Sequence, residues 1–318
     1  MSGKERMFAK VVLASKPTNG APPIFTIHAH YPDIIHGEVM THRDFARNAR
    51  SMRAVPVKTL LEEIRSDPFV PWHWGKNQKG MQAAEECTEL VRSKWGSRPD
   101  EWDLVSREEA WRLEAAHAAD KAEAYAEAGY HKQIANRLIA PYSWKHTLIT
   151  STKWANFLHL RDHSDAEPHF EDLAKMVREA LLTAQFNTLE PEMWHLPYIT
   201  QDDRDQVRRL VGSGIGSTEQ FWKILLKLST ARCARISYKP FDGDGSIESE
   251  IRRHDDLVGA KPLHASPTEH QATPCARTYF PGELVPNGYA NDNLNGNLSP
   301  GWIQYRKTLA GEYVSEAA

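Results

Sequence analysis

An α+β fold is predicted by three features of this 318-residue chain. Two β-branched runs, "AKVVLAS" and "IFTIHAHY", flank the turn material "KPTNGAPP" near the start. Helical periodicity governs the middle, from "EEAWRLEAAHAADKAEAYAEA" to "EQFWKILLKLSTARCARISY". No repeat, low-complexity tract or linker interrupts the chain, so residues 1–318 read as one domain.

Taken in order, the two strands lead into "PDIIHGEVM", where Ile34, Ile35 and Val39 take up a helical apolar spacing. "SDPFVPWHWGKNQKGMQ" follows as an ordered loop, because its aromatics are costly to leave in water. Ser106 and Glu109 form a capping box ahead of an Ala/Glu-rich helix that Gly129 stops. A shorter helix is expected over about His131–Ile139, ended by Pro141. "TLITSTKWANFLHLRDH" starts as strand and continues as helix, and "FEDLAKMVREALLTAQ" is amphipathic. "PEMWHLPYITQDDRD" reads as loop. From Lys239 onward Gly, Pro, Asn and Asp are frequent, with "HASPTEHQATP" as an island.

Composition narrows the function. A formal charge of −3 and a pI near 6.6 argue against broad binding to duplex nucleic acid, so direct nucleic-acid binding is not expected. Cys87, Cys233 and Cys275 stand far apart, which fits a reducing cytoplasm and supports neither a disulfide framework nor thiol catalysis. The N-terminal apolar patch is too short for a signal-peptide core, and no apolar run is long enough to span a membrane. A cytoplasmic location is expected.

Against that acidic background, "THRDFARNARSMR" concentrates one His and four Arg in residues 41–53. If Arg43 to Arg50 is helical, Arg43, Arg47 and Arg50 share a face, where like charges disfavour the helix by roughly 0.2–0.5 kcal/mol per pair. On spacing alone a solvated basic face is the better reading; a bound anion would turn the repulsion into charge-assisted hydrogen bonds. "WANFLHLRDH" sets Arg161 among apolar residues, so it needs a partner: a ligand, or in the blander reading Asp162 or Asp165. His28 and His30 share a strand face without a third ligand, and "HASPTEH" is not the HExxH of a zinc site, so no metal is expected. "GSGIG" follows "DDRDQVRRL", which is no buried strand, and is a turn rather than a dinucleotide loop.

Together these islands resemble the flavin-dependent thymidylate synthases. "THRDFARNARSMR" is similar to that family's RHRxxSxNExSxR at His42, Arg43, Asn48, Ser51 and Arg53. "KQIANR" resembles its ExAR segment, "NFLHLR" its NxxxxLR segment, and "HASPTEH" its GHxSPxEH segment, preceded by "ARCARISY" as by the family's AARxCY. In the family the SPxEH segment comes first, whereas here it comes last. The resemblance therefore implies a circularly permuted, phage-type relative: a single flavin-dependent thymidylate synthase-type domain with permuted motif order.

The resemblance implies transfer of a one-carbon unit from methylene-tetrahydrofolate to C5 of a pyrimidine deoxynucleotide monophosphate, by default dUMP, with FAD reduced by NADPH. It assigns His42, Arg43, Asn48, Asn156 and His270 to the flavin. Ser51, Arg53 and Arg137 fall to the nucleotide phosphate, and Arg161 to the pyrimidine, with Arg161 and His270 as catalytic groups. A homotetramer with sites shared between subunits is implied. The departures are Thr41, Ala46 and Ala49 in place of Arg, Ser and Glu, Leu263 before His264, and Glu38 where the family has Gln. Gln304 is a distant candidate for that Gln's substrate-binding role. Either Asn136 or Arg137 takes the Arg role of the ExAR segment. These changes leave two alternatives open: hydroxymethylation of dUMP or dCMP for modified phage DNA, and a degenerate protein that binds flavin or nucleotide without turnover.

Overall fold

The computed structural model describes residues 3–80, 83, 85–94, 102–214, 216–237 and 244–313. Its elements run β1 (Phe8–Pro17), β2 (Ile24–Pro32), α1 (His36–Val39), β3 (Ala46–Ala49), α2 (Val57–Ser66), β4 (Val91–Lys94) and β5 (Trp102–Val105). Then come α3 (Arg107–Glu127), α4 (Lys132–Leu138), β6 (Trp144–Ser151), α5 (Ala155–Arg161), α6 (Pro168–Leu182) and β7 (Phe186–Leu189). The remainder is α7 (Gln201–Val211), α8 (Ser217–Ala234), α9 (Ile247–Gly259), β8 (Ala272–Pro274), β9 (Arg277–Tyr279), β10 (Pro286–Tyr289) and β11 (Trp302–Gln304). Helices and a mainly antiparallel sheet make this an α+β fold.

The central sheet has the order β3–β6–β2–β1–β7, antiparallel except for the β1–β7 pair. Its two faces differ because side chains alternate along a strand. Ile27, Ala29, Tyr31 and Ile149 point to one face and pack with Phe157 of α5 and with Phe170, Leu173, Ala174 and Val177 of α6. Each large side chain buried there contributes about 1.5–3 kcal/mol. The opposite face is polar: the register sets Thr26 beside Thr150 and His30 beside His146, with His28 between the two.

A second cluster joins α2, α3 and α4. Ala115, Ala119 and Ala122 let α3 approach Leu60, Leu61 and Ile64 closely, with Ile139 beside them. Ser106 caps α3 by accepting the Glu109 N–H at 3.2 Å, and Gly129, at φ +87°, ends it in a conformation that favours glycine.

The structure corrects several local expectations. Residues 46–49 form an edge strand, not a helix, so Arg43, Arg47 and Arg50 do not share a helical face. "PDIIHGEVM" makes only a 3-10 turn and the single turn α1; Ile35 and Val39 are buried, whereas Ile34 is exposed. The tail of "PEMWHLPYITQDDRD" opens α7, where Thr200 and Asp203 form a complete capping box. The polar stretch after Lys239 contains α9. The Trp-rich loop is ordered over its described part: Phe69 is buried, and Trp72 donates to Asp172 of α6 at 2.9 Å. Met81, Gln82, Ile215 of "GSGIG" and Tyr238 of "ARCARISY" lie outside the described residues.

Candidate functional site

The site grows from the β3–β6 edge. β6 leads through Trp154 into α5, which ends at Arg161. Residues 41–45, just ahead of β3, bring His42 to meet that arginine. Arg161 Nε donates to His42 Nε2 at 3.0 Å, and its Nη2 donates to Thr41 Oγ1 at 3.2 Å. The guanidinium lies 5.0 Å over the Phe170 ring, while His42 meets Phe157 edge-on at 5.1 Å. Burial, and then the Arg161 charge, lower the His42 imidazole to about 4, so it is a neutral acceptor at pH 7. The expected ion pair of Arg161 with Asp162 or Asp165 does not form; Asp162 pairs with Arg178.

Along β3, alternation separates neighbours. Asn48 Nδ2 donates to Cys233 O at 2.7 Å, tying the strand to the end of α8 within "ARCARISY". Arg47 donates to Val39 O at 3.0 Å on the other face. Beyond the strand, Arg50 makes a bidentate pair with Glu63 of α2, at 2.9 and 2.8 Å. Ser51 and Arg53 occupy the following turn, where Ser51 Oγ accepts the Arg53 N–H at 3.2 Å. α4 holds this turn from beneath: the Asn136 amide donates to Met52 O at 2.7 Å and Val55 O at 3.0 Å, and Lys132 donates to Ala54 O at 3.0 Å. Of the two candidates for the Arg role, Asn136 is buried and Arg137 is exposed next to it.

"HASPTEH" forms a 3-10 turn at Ser266–Glu269 that packs against β3. Glu269 pairs with Arg306, while burial raises its carboxyl. Gln304 is 2% exposed, and its amide donates to Glu269 O at 2.9 Å and Asn297 Oδ1 at 2.8 Å. It therefore braces this turn while also lining the cavity beside it. His270 is fully buried, with Nδ1 at 2.8 Å from Thr150 Oγ1 and Nε2 without a partner. Asn156 and Arg43 are exposed.

Chain segments from residue 41 to residue 270 thus meet at β3 and β6. Among the described residues, no carboxylate pairs with Arg43, Arg53, Arg137 or Arg161, whereas Arg50 is neutralised by Glu63. Such a set suits an anion carrying a flat ring: exposed guanidiniums for a phosphate, and the Arg161–His42 pair as a hydrogen-bonding edge. A cavity of about 280 Å³ opens beside the turn, lined by Glu269, Asn297, Gln304, Arg306 and Lys307. A larger one of about 530 Å³ is lined by Lys4, Phe8, Asp172 and Lys175 among others, and none of its lining residues belongs to these segments.

Among the described residues no group of three or more His, Cys, Asp or Glu side chains could hold a metal ion; His28 Nε2 and His146 Nδ1 simply lie 3.0 Å apart. No helix is long and apolar enough to cross a membrane among the described residues. Glu63, Thr26, Thr150 and His195 escaped sequence reasoning. Isolated hydroxyls and carboxylates far apart in the chain carry no local signal of their pairing.

No family model matches the chain, and no curated protein sequence matches it. Solved structures do overlap it in part. Thymidylate Synthase X (ThyX) from Helicobacter pylori with FAD and dUMP is 14% identical at a TM-score of 0.33, over 50% of this chain and 67% of that one. A second structure of the flavin-dependent thymidylate synthase from Helicobacter pylori, also complexed with FAD and dUMP, is 19% identical at 0.32 with the same coverage. A UMP/dUMP methylase PolB from Streptomyces cacaoi bound with 5-Br UMP is 13% identical at 0.36, over 55% of this chain and 88% of that one. At these TM-scores the overlaps carry no argument about ligand or reaction.

Proposed function

We propose that the chain is a flavin-dependent enzyme of the thymidylate synthase type, one domain with permuted motif order. It transfers a one-carbon unit from methylene-tetrahydrofolate to C5 of a pyrimidine deoxynucleotide monophosphate, with dUMP as the default substrate and FAD and NADPH as cofactors. The observation that carries this reading is the convergence on β3, β6 and the residues that flank β3 of segments that are remote in sequence. Those are the segments that the resemblance joins into one site: Thr41–Arg53, the α4 segment holding the 51–55 turn, Arg161 of α5, and the Ser266–Glu269 turn. The permuted order changes which loops connect them and leaves their meeting intact.

Within this reading Ser51, Arg53 and Arg137 bind the nucleotide phosphate, and all three belong to the turn and helix that Asn136 fastens together. Arg161 orients the pyrimidine and stabilises negative charge on its carbonyl edge, with neutral His42 fixing the guanidinium plane. His42, Arg43, Asn48 and Asn156 face the flavin, although Asn48 also anchors α8. When bound, the flavin supplies the hydride that completes the methyl group. No thiol nucleophile is required, which agrees with burial raising the Cys233 thiol out of reach of ionisation.

The test is to incubate the purified protein with NADPH, FAD and methylene-tetrahydrofolate, and either dUMP or dCMP, then weigh the nucleotide products. A product heavier than dUMP by one methylene is expected. A product heavier by a further oxygen would reassign the enzyme to hydroxymethylation. Unchanged nucleotide would contradict the enzymatic reading and leave a binding protein.

A further inference from the structure

His270 terminates a buried chain of hydroxyls and imidazoles that crosses the polar face of the sheet. Ser15 Oγ lies 2.8 Å from His195 Nδ1, and His195 Nε2 lies 2.9 Å from Thr26 Oγ1. Thr26 Oγ1 lies 2.6 Å from Thr150 Oγ1, which lies 2.8 Å from His270 Nδ1. Ser15 is 1% exposed and the other side chains 0%. Burial lowers both imidazoles to about 3, so each is neutral at pH 7 and carries one N–H and one acceptor nitrogen.

Counting donors constrains the chain. Three hydroxyls and two neutral imidazoles offer five donor hydrogens for four links, so one hydrogen is always left over. If the chain is directed from His270 towards Ser15, the surplus hydrogen is on the Ser15 hydroxyl. That hydroxyl sits in β1 between β2 and β7, on the far side of β2 from the converging segments at β6 and β3. If it is directed from Ser15 towards His270, the surplus hydrogen is on His270 Nε2, the chain's end in the "HASPTEH" segment and an atom without a partner. An incoming acceptor can satisfy only the second arrangement, and a buried unsatisfied donor costs about 1–3 kcal/mol.

We propose that Ser15, His195, Thr26 and Thr150 are positioning residues that hold His270 with its proton on Nε2, as a hydrogen-bond donor to a carbonyl oxygen or ring nitrogen of the bound flavin or pyrimidine. This rests on the functional reading above. The chain explains why three side chains on strands β1, β2 and β6, and a histidine in the loop before α7, stand in register with His270, which follows the Ser266–Glu269 turn. It also gives His270 a role that burial in the free chain would otherwise deny it.

The test is nitrogen-15 NMR of histidine-labelled protein at neutral pH, with signals assigned through His270→Gln and His195→Gln. Both imidazoles are expected to show a pyrrole-type Nε2 and a pyridine-type Nδ1. A protonated Nδ1 on either would overturn the proposal. Thr150→Val should move the His270 signals towards a two-tautomer average, and Thr150→Ser should restore them; an unmoved His270 in a folded Thr150→Val protein contradicts the positioning role. If Thr150→Val does not fold, the wild-type assignment decides alone. FAD and then dUMP are added in turn: a shift of Nε2 at the first step makes the flavin the acceptor, and at the second the pyrimidine. No shift with both bound refutes the ligand contact. Protein that binds neither compound would sink the functional reading while the tautomer result stood on its own.

Discussion

Arg161 is held by two neutral acceptors, His42 Nε2 and Thr41 Oγ1, and by the Phe170 ring. An arginine kept for stability alone is normally neutralised, as Arg50 is by Glu63 and Arg232 by Asp203. Leaving Arg161 without a carboxylate keeps its charge available to a ligand. Burial is the main cause of the low His42 value, and the same contact adds to it, since a protonated His42 would face a guanidinium directly. Arg161→Ala should therefore raise the His42 pKa from about 4 towards the ordinary imidazole range, leave flavin bound and abolish turnover. Proton NMR titration of His42 and turnover assays read the two effects. An unmoved His42 would show that the pair does not form in solution, and intact turnover would remove Arg161 from the mechanism.

At the scale of elements, α4 is the support for the 51–55 turn, the proposed phosphate site. Asn136 is fully buried and satisfies two carbonyls of residues 52–55, so Asn136→Ala should destabilise the fold by about 1–3 kcal/mol and weaken dUMP affinity. Arg137→Ala, on the exposed side, should leave stability within about 0.5 kcal/mol while still weakening dUMP. Urea unfolding with nucleotide titration separates the two; equal stability loss in both would dissolve the distinction. The reasons some elements were legible in sequence lie in their burial. β1 and β2 carry β-branched runs bounded by turn residues and α6 buries one apolar face, so each is legible in sequence. β3 was not, because Arg47 and Asn48 have no strand preference and the strand exists only through pairing with β6. α9 was hidden because its buried residues are Ser249, Glu250 and His254, with Glu250 satisfied by Arg235 and Arg253. Similarly, β8 and β11 are three-residue strands defined by each other.

For the molecule as a whole, motif residues proved more legible than the scaffold between them. Local spacing alone favours a solvated basic face and an acidic partner for Arg161; the family resemblance singles out His42, Ser51, Arg53 and Arg161, and the structure brings His42 to Arg161. The chain behind His270 was invisible because it joins residues 15, 26, 150, 195 and 270, none with a neighbour in sequence. The hydrogen bonds of the Gln304 amide to Glu269 and Asn297 were hidden for the same reason, since only the fold brings these residues together. The functional claim for the whole molecule is that these converged segments hold a flavin beside a nucleotide. Its most direct measurement is the visible spectrum of purified protein mixed with FAD and freed of excess, recorded before and after dUMP. The account predicts retained flavin absorbance that dUMP perturbs, with the perturbation lost in a Ser51→Ala, Arg53→Ala double variant. Protein that emerges without flavin absorbance would contradict it.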